Sequence, residues 1–177
     1  MKKAYLLTGG PGVGKTTIIK QALCNLEGKA GGFYTEEIRI GGTRQGFRII
    51  TLKGEGAILA HIDISSPYRV SKYGVDIEGL ERVGVSALKQ ATRGCDLVVI
   101  DEIGKMELFS PSFREAVVEA IDSGKRVLGT IMLSSHPWAN QVKRHPNVAV
   151  IPLTRENREQ VLKQLEEWLR SKAEGGE

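Results

Sequence analysis

Apolar runs and polar breaks alternate along this chain in a way that predicts a sheet interleaved with helices. Ala4 to Thr8 is a short apolar run that reads as a buried strand. Thr16 to Leu26 sets Ile19, Leu23 and Leu26 on one helical face, and Gly28 with Gly31-Gly32 closes that unit. Phe33 to Ile40 reads as a strand with Tyr34, Ile38 and Ile40 on one face and Thr35, Glu37 and Arg39 on the other. The turn Gly41 to Gly46 leads to a strand from Phe47 to Leu52, and Gly54-Glu55-Gly56 leads to another from Ala57 to Ile62. Turns this short suit antiparallel hairpins and leave no room for a crossover helix, so this stretch predicts a β-meander inserted in or added to a parallel sheet. Asp63 to Val75 is a polar connection carrying Arg69, Lys72 and Tyr73, of a length that is usually functional or mobile. Asp76 is the N-cap of a helix through Leu80, Val83, Leu88 and Ala91, in which Gly79 and Gly84 each cost about 1 kcal/mol relative to Ala.

In the second half, Leu97 to Ile100 is apolar at every position, the mark of a strand buried on both faces in a parallel sheet. Ser110-Pro111 supplies an N-cap and first turn for a helix from Phe113 to Asp122, and Gly124 ends it. Arg126 to Met132 and Val148 to Leu153 are further buried strands, with His136-Pro137 and His145-Pro146 read as loop residues between them. Thr154 caps a last helix whose Val161, Leu162, Leu165, Trp168 and Leu169 form one core-facing stripe. The expected organisation is one domain over residues 1–171 with a frayed tail from Lys172 to Glu177. The fold class is α/β: a mostly parallel central sheet flanked by helices, plus an antiparallel meander.

Between the first strand and the first helix lies Gly9-Gly10-Pro11-Gly12-Val13-Gly14-Lys15-Thr16-Thr17, which fits G-x-x-x-x-G-K-[ST], the phosphate-binding P-loop. Glycines let the backbone fold around a phosphate with its N–H groups turned inward, and the helix N-terminus adds free donors and a positive dipole end. Lys15 reaches the β- and γ-phosphates, and the Thr16 hydroxyl ligates Mg²⁺. Chance alone gives this pattern in roughly one per cent of chains of this length, before the flanking strand and helix are counted.

Composition changes that picture little. The 177 residues are 41% apolar and 26% charged, enough to bury a core without disulfides or metals. The net charge of +4 permits a nucleic-acid surface, but no aromatic-and-basic stripe supports one, and no run approaches a membrane span. Cys24 and Cys95 are expected to be reduced core thiols of a cytoplasmic protein, and a monomer is expected. His61, His136 and His145 have no metal-ligand spacing.

Asp101 ends the most apolar strand and fits the acid that holds Mg²⁺ in P-loop folds. Glu102, one residue on, is placed to orient and deprotonate a water in line with the γ-phosphorus. Thr130, near the end of its strand, either bonds that water or the γ-phosphate, or packs as a valine analogue. Positive charge for the transition state comes from Lys15, Mg²⁺ and an arginine that sequence does not select among Arg44, Arg69, Arg155 and Arg158.

Several segments stand in order with the P-loop: Gly32-Phe33-Tyr34-Thr35-Glu36-Glu37-Ile38-Arg39, Gly46-Phe47, Arg69-Val70-Ser71-Lys72-Tyr73-Gly74-Val75-Asp76, Ile100-Asp101-Glu102-Ile103-Gly104-Lys105-Met106-Glu107 and Asn157-Arg158. With them, from Lys3 to about Leu169, the chain resembles the small P-loop nucleoside-triphosphatase family of thermophilic prokaryotes, shared with the cancer-related nucleoside-triphosphatase of animals. The resemblance implies a RecA-like variant of the P-loop fold, with another strand between the P-loop strand and the Asp101 strand. It implies Mg²⁺-dependent hydrolysis of ATP, GTP and other nucleoside triphosphates to diphosphate and phosphate, with weak base selectivity and slow turnover. Gly104 falls within its motif beside the nucleotide, and by analogy Asn157 and Arg158 lie near the base or ribose. Two other readings share the same parts: a nucleotide or small-metabolite kinase, and a module whose nucleotide state governs binding of nucleic acid or protein.

Overall fold

The computed structural model describes residues 1–171, so the expected fraying of Lys172 to Glu177 lies outside the described residues. The elements run β1 (Ala4–Thr8), α1 (Lys15–Leu23), β2 (Ala30–Ile40), β3 (Thr43–Thr51), β4 (Gly56–His61), β5 (Arg69–Val70) and β6 (Tyr73–Val75). Next come a helix in three stretches, α2 (Ile77–Gly79), a π-helical turn (Leu80–Val85) and α3 (Ser86–Gly94), and then β7 (Leu97–Ile103). The rest is a 3₁₀ turn (Glu107–Phe109), α4 (Pro111–Asp122), β8 (Arg126–Ile131), α5 (Pro137–Lys143), β9 (Val148–Pro152) and α6 (Arg158–Arg170).

The described strands form one sheet in the order β5-β6-β4-β3-β2-β7-β8-β1-β9. From β2 to β9 the pairing is parallel, and β8 lies between the P-loop strand β1 and the acid-bearing strand β7. Alternate residues of the parallel strands feed two cores. Leu6, Val98 and Ile100 pack with Leu88 of α3 and Phe113 and Val117 of α4. Leu7, Leu97 and Val99 pack with Ile18 and Ile19 of α1 and with Val161, Leu165 and Trp168 of α6. Each such side chain, fully buried, stabilises the fold by about 1.5–3 kcal/mol, which is why a strand buried on both faces has no polar position until its end.

The meander forms where expected, with two differences of register. Thr43 already pairs with Ile40, so the turn is two residues, Gly41-Gly42, at φ 57 and 79, rather than the six expected. Positive φ at both central positions is what the type I′ hairpin requires. At its other end β2 begins at Ala30: Ala30 to Phe33 pair parallel with Leu97 to Ile100. The Gly31-Gly32 read as a closing turn is strand, because a Cβ at Gly32 (φ 113) would run into the Val99 carbonyl and one at Gly31 would stand 2.8 Å from the Ala91 methyl. Glycine here serves close approach rather than chain reversal.

The connection from Asp63 to Val75, expected without structure of its own, carries β5 and β6, and Tyr73 to Val75 are buried against β4. Asp76 caps as expected, accepting from Gly79 N–H at 2.9 Å. Gly79 is needed because a Cβ there would stand 2.9 Å from the Ile58 carbonyl of β4. His136-Pro137 is a helix start, not a loop: His136 Nδ1 accepts from Trp138 N–H at 3.2 Å, and Pro137 begins α5. Cys24 is exposed rather than a core thiol, and Cys95 is partly buried. The cap of α6 is Asn157, with Thr154 as its reciprocal partner: Thr154 N–H donates to Asn157 Oδ1 at 2.8 Å and Asn157 N–H to Thr154 Oγ1 at 3.2 Å.

Candidate active site

The glycine-rich loop leaves β1 at Thr8 and turns through left-handed residues Gly12 (φ 76) and Gly14 (φ 90) into α1. Gly9 packs against the segment after β9, where a Cβ would stand 2.6 Å from the Leu153 carbonyl. Lys15 folds back over the loop, donating from Nζ to Gly9 O at 2.6 Å and to Gly10 O at 3.3 Å. Val13 and Thr17 complete the turn and enter the helix, Thr17 on its exposed side.

Asp101 is the hub of the site. Its carboxylate accepts from Thr16 Oγ1 at 2.6 Å and from Thr130 Oγ1 at 2.7 Å, so it joins the P-loop helix to β8 and β7. Its backbone carbonyl accepts from Thr35 Oγ1 of β2 at 2.5 Å. Burial pushes the Asp101 carboxyl up, against the pull of those two hydroxyl donors and of Lys15. The Thr130 hydroxyl is therefore engaged with Asp101 in this structure, which makes it a support of the acid rather than a valine analogue.

Glu102 follows at a bulge. Ile100 pairs with Gly129 and Ile103 with Ile131, so Asp101 and Glu102 together oppose the single residue Thr130. In a regular strand two consecutive side chains point to opposite faces; a bulge re-aims one of them, and both carboxylates line the same cavity. Burial, then the neighbouring Asp101, raises the Glu102 carboxyl, with Lys15 opposing.

The residue that sequence reasoning left without a role is Glu107. It is 3% exposed, lines the same cavity, and accepts from Gly104 N–H at 3.2 Å. Its carboxyl is pushed well above the ordinary range, first by burial and next by Glu102. A Cβ at Gly104 would stand 2.5 Å from Glu102 Oε1 and 3.1 Å from Glu107 Oε2, so Gly104 gives both carboxyl groups their room. A carboxylate three residues beyond a glycine, in a short turn after the acid pair, was the available signal. Thr35 was also missed, since periodicity shows a polar face but not what lies over it.

Not every expected residue meets here. Asn157 closes its own loop, donating from Nδ2 to Pro152 O at 2.9 Å, and does not line the cavity. Arg158 lays its guanidinium against the P-loop, with Nη2 3.1 Å from where a Gly14 Cβ would be. Arg69 is tied to the carbonyls of Ile64 and Lys72, and Arg155 is exposed. Of the four arginines only Arg44 lines the cavity, held by Tyr73 Oη at 2.9 Å and Glu37 Oε1 at 3.3 Å.

No three His, Cys, Asp or Glu side chains gather as a metal cage among the described residues. The pair Asp101 and Thr16 nevertheless suits Mg²⁺, which prefers hard oxygen donors and takes one or two from protein while phosphates and water supply the rest.

A family model described as "NTPase" matches residues 4–166. The chain is 51% identical over 160 residues to the nucleoside-triphosphatase THEP1 of Thermotoga maritima, covering 90% of this chain and 91% of that one. It is 44% identical over 163 residues to THEP1 of Methanocaldococcus jannaschii, covering 90% and 92%. The crystal structure of THEP1 from Aquifex aeolicus superposes with a TM-score of 0.87 at 38% identity, over 95% of this chain and 99% of that one. The solution structure of a human cancer-related nucleoside triphosphatase superposes with a TM-score of 0.79 at 35% identity, over 98% and 100%. With a family model matched over residues 4–166 and relatives 38–51% identical over at least nine-tenths of this chain, the chain belongs to the nucleoside-triphosphatase family of THEP1.

Proposed function

We propose that this protein hydrolyses ATP, GTP and other nucleoside triphosphates in a Mg²⁺-dependent reaction, with broad base selectivity and slow turnover. The observation that carries the reading is the Asp101 carboxylate, bonded at once to the P-loop Thr16 and to Thr130, with Glu102 displaced by a bulge into the same cavity. Thr16 and Asp101 would hold the ion, which, when bound, neutralises charge on the phosphate oxygens.

The chain's own groups do the rest. The inward N–H groups of the loop receive the phosphates, and Lys15 exchanges the Gly9 and Gly10 carbonyls for β- and γ-phosphate oxygens. Thr130 fixes the Asp101 rotamer. Glu102 accepts a proton from water as the water oxygen bonds to the γ-phosphorus and the bond to the β-phosphate oxygen breaks. A carboxyl raised by burial is better matched to that task near neutral pH than an ordinary one. Base selectivity is weak because these contacts address phosphate and metal. Turnover is slow because Arg44, the arginine in the cavity, is held by Glu37 and Tyr73.

We place the protein in the cytoplasm as a monomer; its two thiols are unbonded, and no described helix is long and apolar enough to cross a membrane. The test is phosphate release from ATP, GTP, CTP and UTP with Mg²⁺ and with a chelator. All four should be cleaved, with kcat/KM spread over about 1–3 kcal/mol, and none without the metal. No release from any of them overturns the reading.

A further inference from the structure

The cavity is larger than a phosphate site needs, and its direction is informative. At about 690 Å³ it runs along the carboxyl edge of the sheet, from Lys15 behind β1, past Glu102 on β7, to Glu37 on β2, Arg44 and Phe47 on β3 and Val70 on β5. Neither β9 nor α6 lines it. The Thr16–Asp101 bond turns the metal side of the P-loop toward β7, and that side receives the β- and γ-phosphates. The nucleoside end of a triphosphate then leaves on the opposite side, where Arg158 lies against Gly14. The γ-phosphate thus points into the cavity, and the part between Glu102 and Arg44 lies beyond it. A volume in the range of about 300–1,000 Å³ is that of a small-molecule site.

The chemistry of that far part is specific. Phe47, Leu59, Val70 and Met106 make it apolar. At its rim the Arg44 guanidinium and the Glu37 carboxylate form a donor–acceptor pair at 3.3 Å, and the guanidinium lies 5.1 Å over the Phe47 ring. Tyr73 Oη, 2.9 Å from Arg44 Nε, holds the pair in place. The Arg44 guanidinium stacked on Phe47 offers a planar cationic face, and the Glu37 carboxylate, shared with Arg39 Nε at 2.7 Å, keeps acceptor capacity, a combination that complements a planar ring with both kinds of edge group, such as a nucleobase. The meander thus supplies a second recognition surface facing the P-loop.

We infer that the far part of the cavity binds a free nucleoside beside the triphosphate, and that this nucleoside is a phosphoryl acceptor. The inference rests on the reading of Glu102 given above. The nucleoside hydroxyl oxygen bonds to the γ-phosphorus, its proton passes to Glu102, and the bond to the β-phosphate oxygen breaks with the electron pair left on the diphosphate. The products are a nucleoside monophosphate and a nucleoside diphosphate; hydrolysis is the same displacement with water as acceptor.

The test uses the whole protein with adenosine, guanosine, cytidine and uridine as probes. Binding of each is measured by equilibrium dialysis against protein saturated with Mg²⁺ and a non-hydrolysable ATP analogue, and transfer is followed from γ-labelled GTP. At least one nucleoside should bind the saturated protein and yield labelled monophosphate. Phe47→Ala should weaken that binding at least roughly fivefold, the loss of a base–aromatic stack. Arg44→Ala, at an exposed position, provides a second variant whose folding is not in question. Phe47→Ala should leave hydrolysis without nucleoside unchanged, so a failure of the hydrolytic reading shows separately in the same preparation. If no nucleoside binds, or if nucleosides displace the ATP analogue, the second site does not exist. Binding without labelled product keeps the site and removes the transfer. Loss of basal hydrolysis in Arg44→Ala assigns the arginine to the triphosphate and overturns the inference.

Discussion

The two halves of the sheet are built to different rules and meet in one strand. β2 pairs parallel with β7 through Ala30 to Phe33 and antiparallel with β3 through Phe33 to Ile40. On the parallel side, Leu97 to Ile100 are at most 1% exposed, and polar atoms collect where the strands end. On the antiparallel side burial falls off along β2, and the tip leaves Ile40 66% exposed. The parallel half fixes chemistry through the backbone: the bulge at Asp101-Glu102 and the glycines at Gly31-Gly32 admit few replacements. The meander presents side chains on a surface, and its turns tolerate more. The turn glycines Gly41, Gly42 and Gly54 stand in open space, whereas Gly46 and Gly74 within the meander's strands lie against backbone as Gly32 does, so the tolerance belongs to the turns.

That contrast can be tested from the strongest expected effect to the weakest. Glu102→Gln keeps size and hydrogen bonding but removes the proton acceptor, and hydrolysis should fall by about 10²- to 10⁴-fold while triphosphate binding persists. Single-turnover hydrolysis and calorimetry on one preparation decide it; the parent rate in the variant would take Glu102 out of the mechanism. Gly32→Ala should cost at least about 3 kcal/mol in urea unfolding, because the new Cβ meets the Val99 backbone at a positive φ. Thr130→Val removes one of two hydroxyl donors to Asp101, and a hydrogen bond to a charged group is worth about 1.5–3 kcal/mol. Activity at limiting Mg²⁺ should drop about tenfold or more. Gly42→Ala, in open space at φ 79, should cost only about 1 kcal/mol and leave hydrolysis unchanged. If Gly42→Ala proved as damaging as Gly32→Ala, the division between the halves would be wrong.

The parallel half was also the more legible in sequence. The run into the P-loop, the unbroken apolar stretch before Asp101 and the Ser110-Pro111 cap each follow from local rules, and each is observed, Ser110 Oγ accepting from Phe113 N–H at 3.1 Å. The start of β2 was not legible, because two glycines signal a turn until the partner strand is known to approach that closely. Tyr73 to Val75 look like loop because a three-residue strand has no periodicity of its own and exists only through its pairing with β4. In the site, the P-loop and acid pair could be read from spacing. The places of Thr35 and Arg44 depend on which strands become neighbours, which no local pattern encodes, whereas the turn from Gly104 to Glu107 is local.

The lysine of the P-loop has a consequence for what the site ignores. Lys15 is already satisfied by the Gly9 carbonyl at 2.6 Å, so any anion must first compete with the loop's own oxygen. Releasing a charged hydrogen bond of this kind costs about 1.5–3 kcal/mol. A lone phosphate or sulfate, touching few donors, must recover that from little contact, whereas a triphosphate regains it across the whole loop. A lone phosphate or sulfate is therefore expected to compete poorly with a triphosphate for this loop.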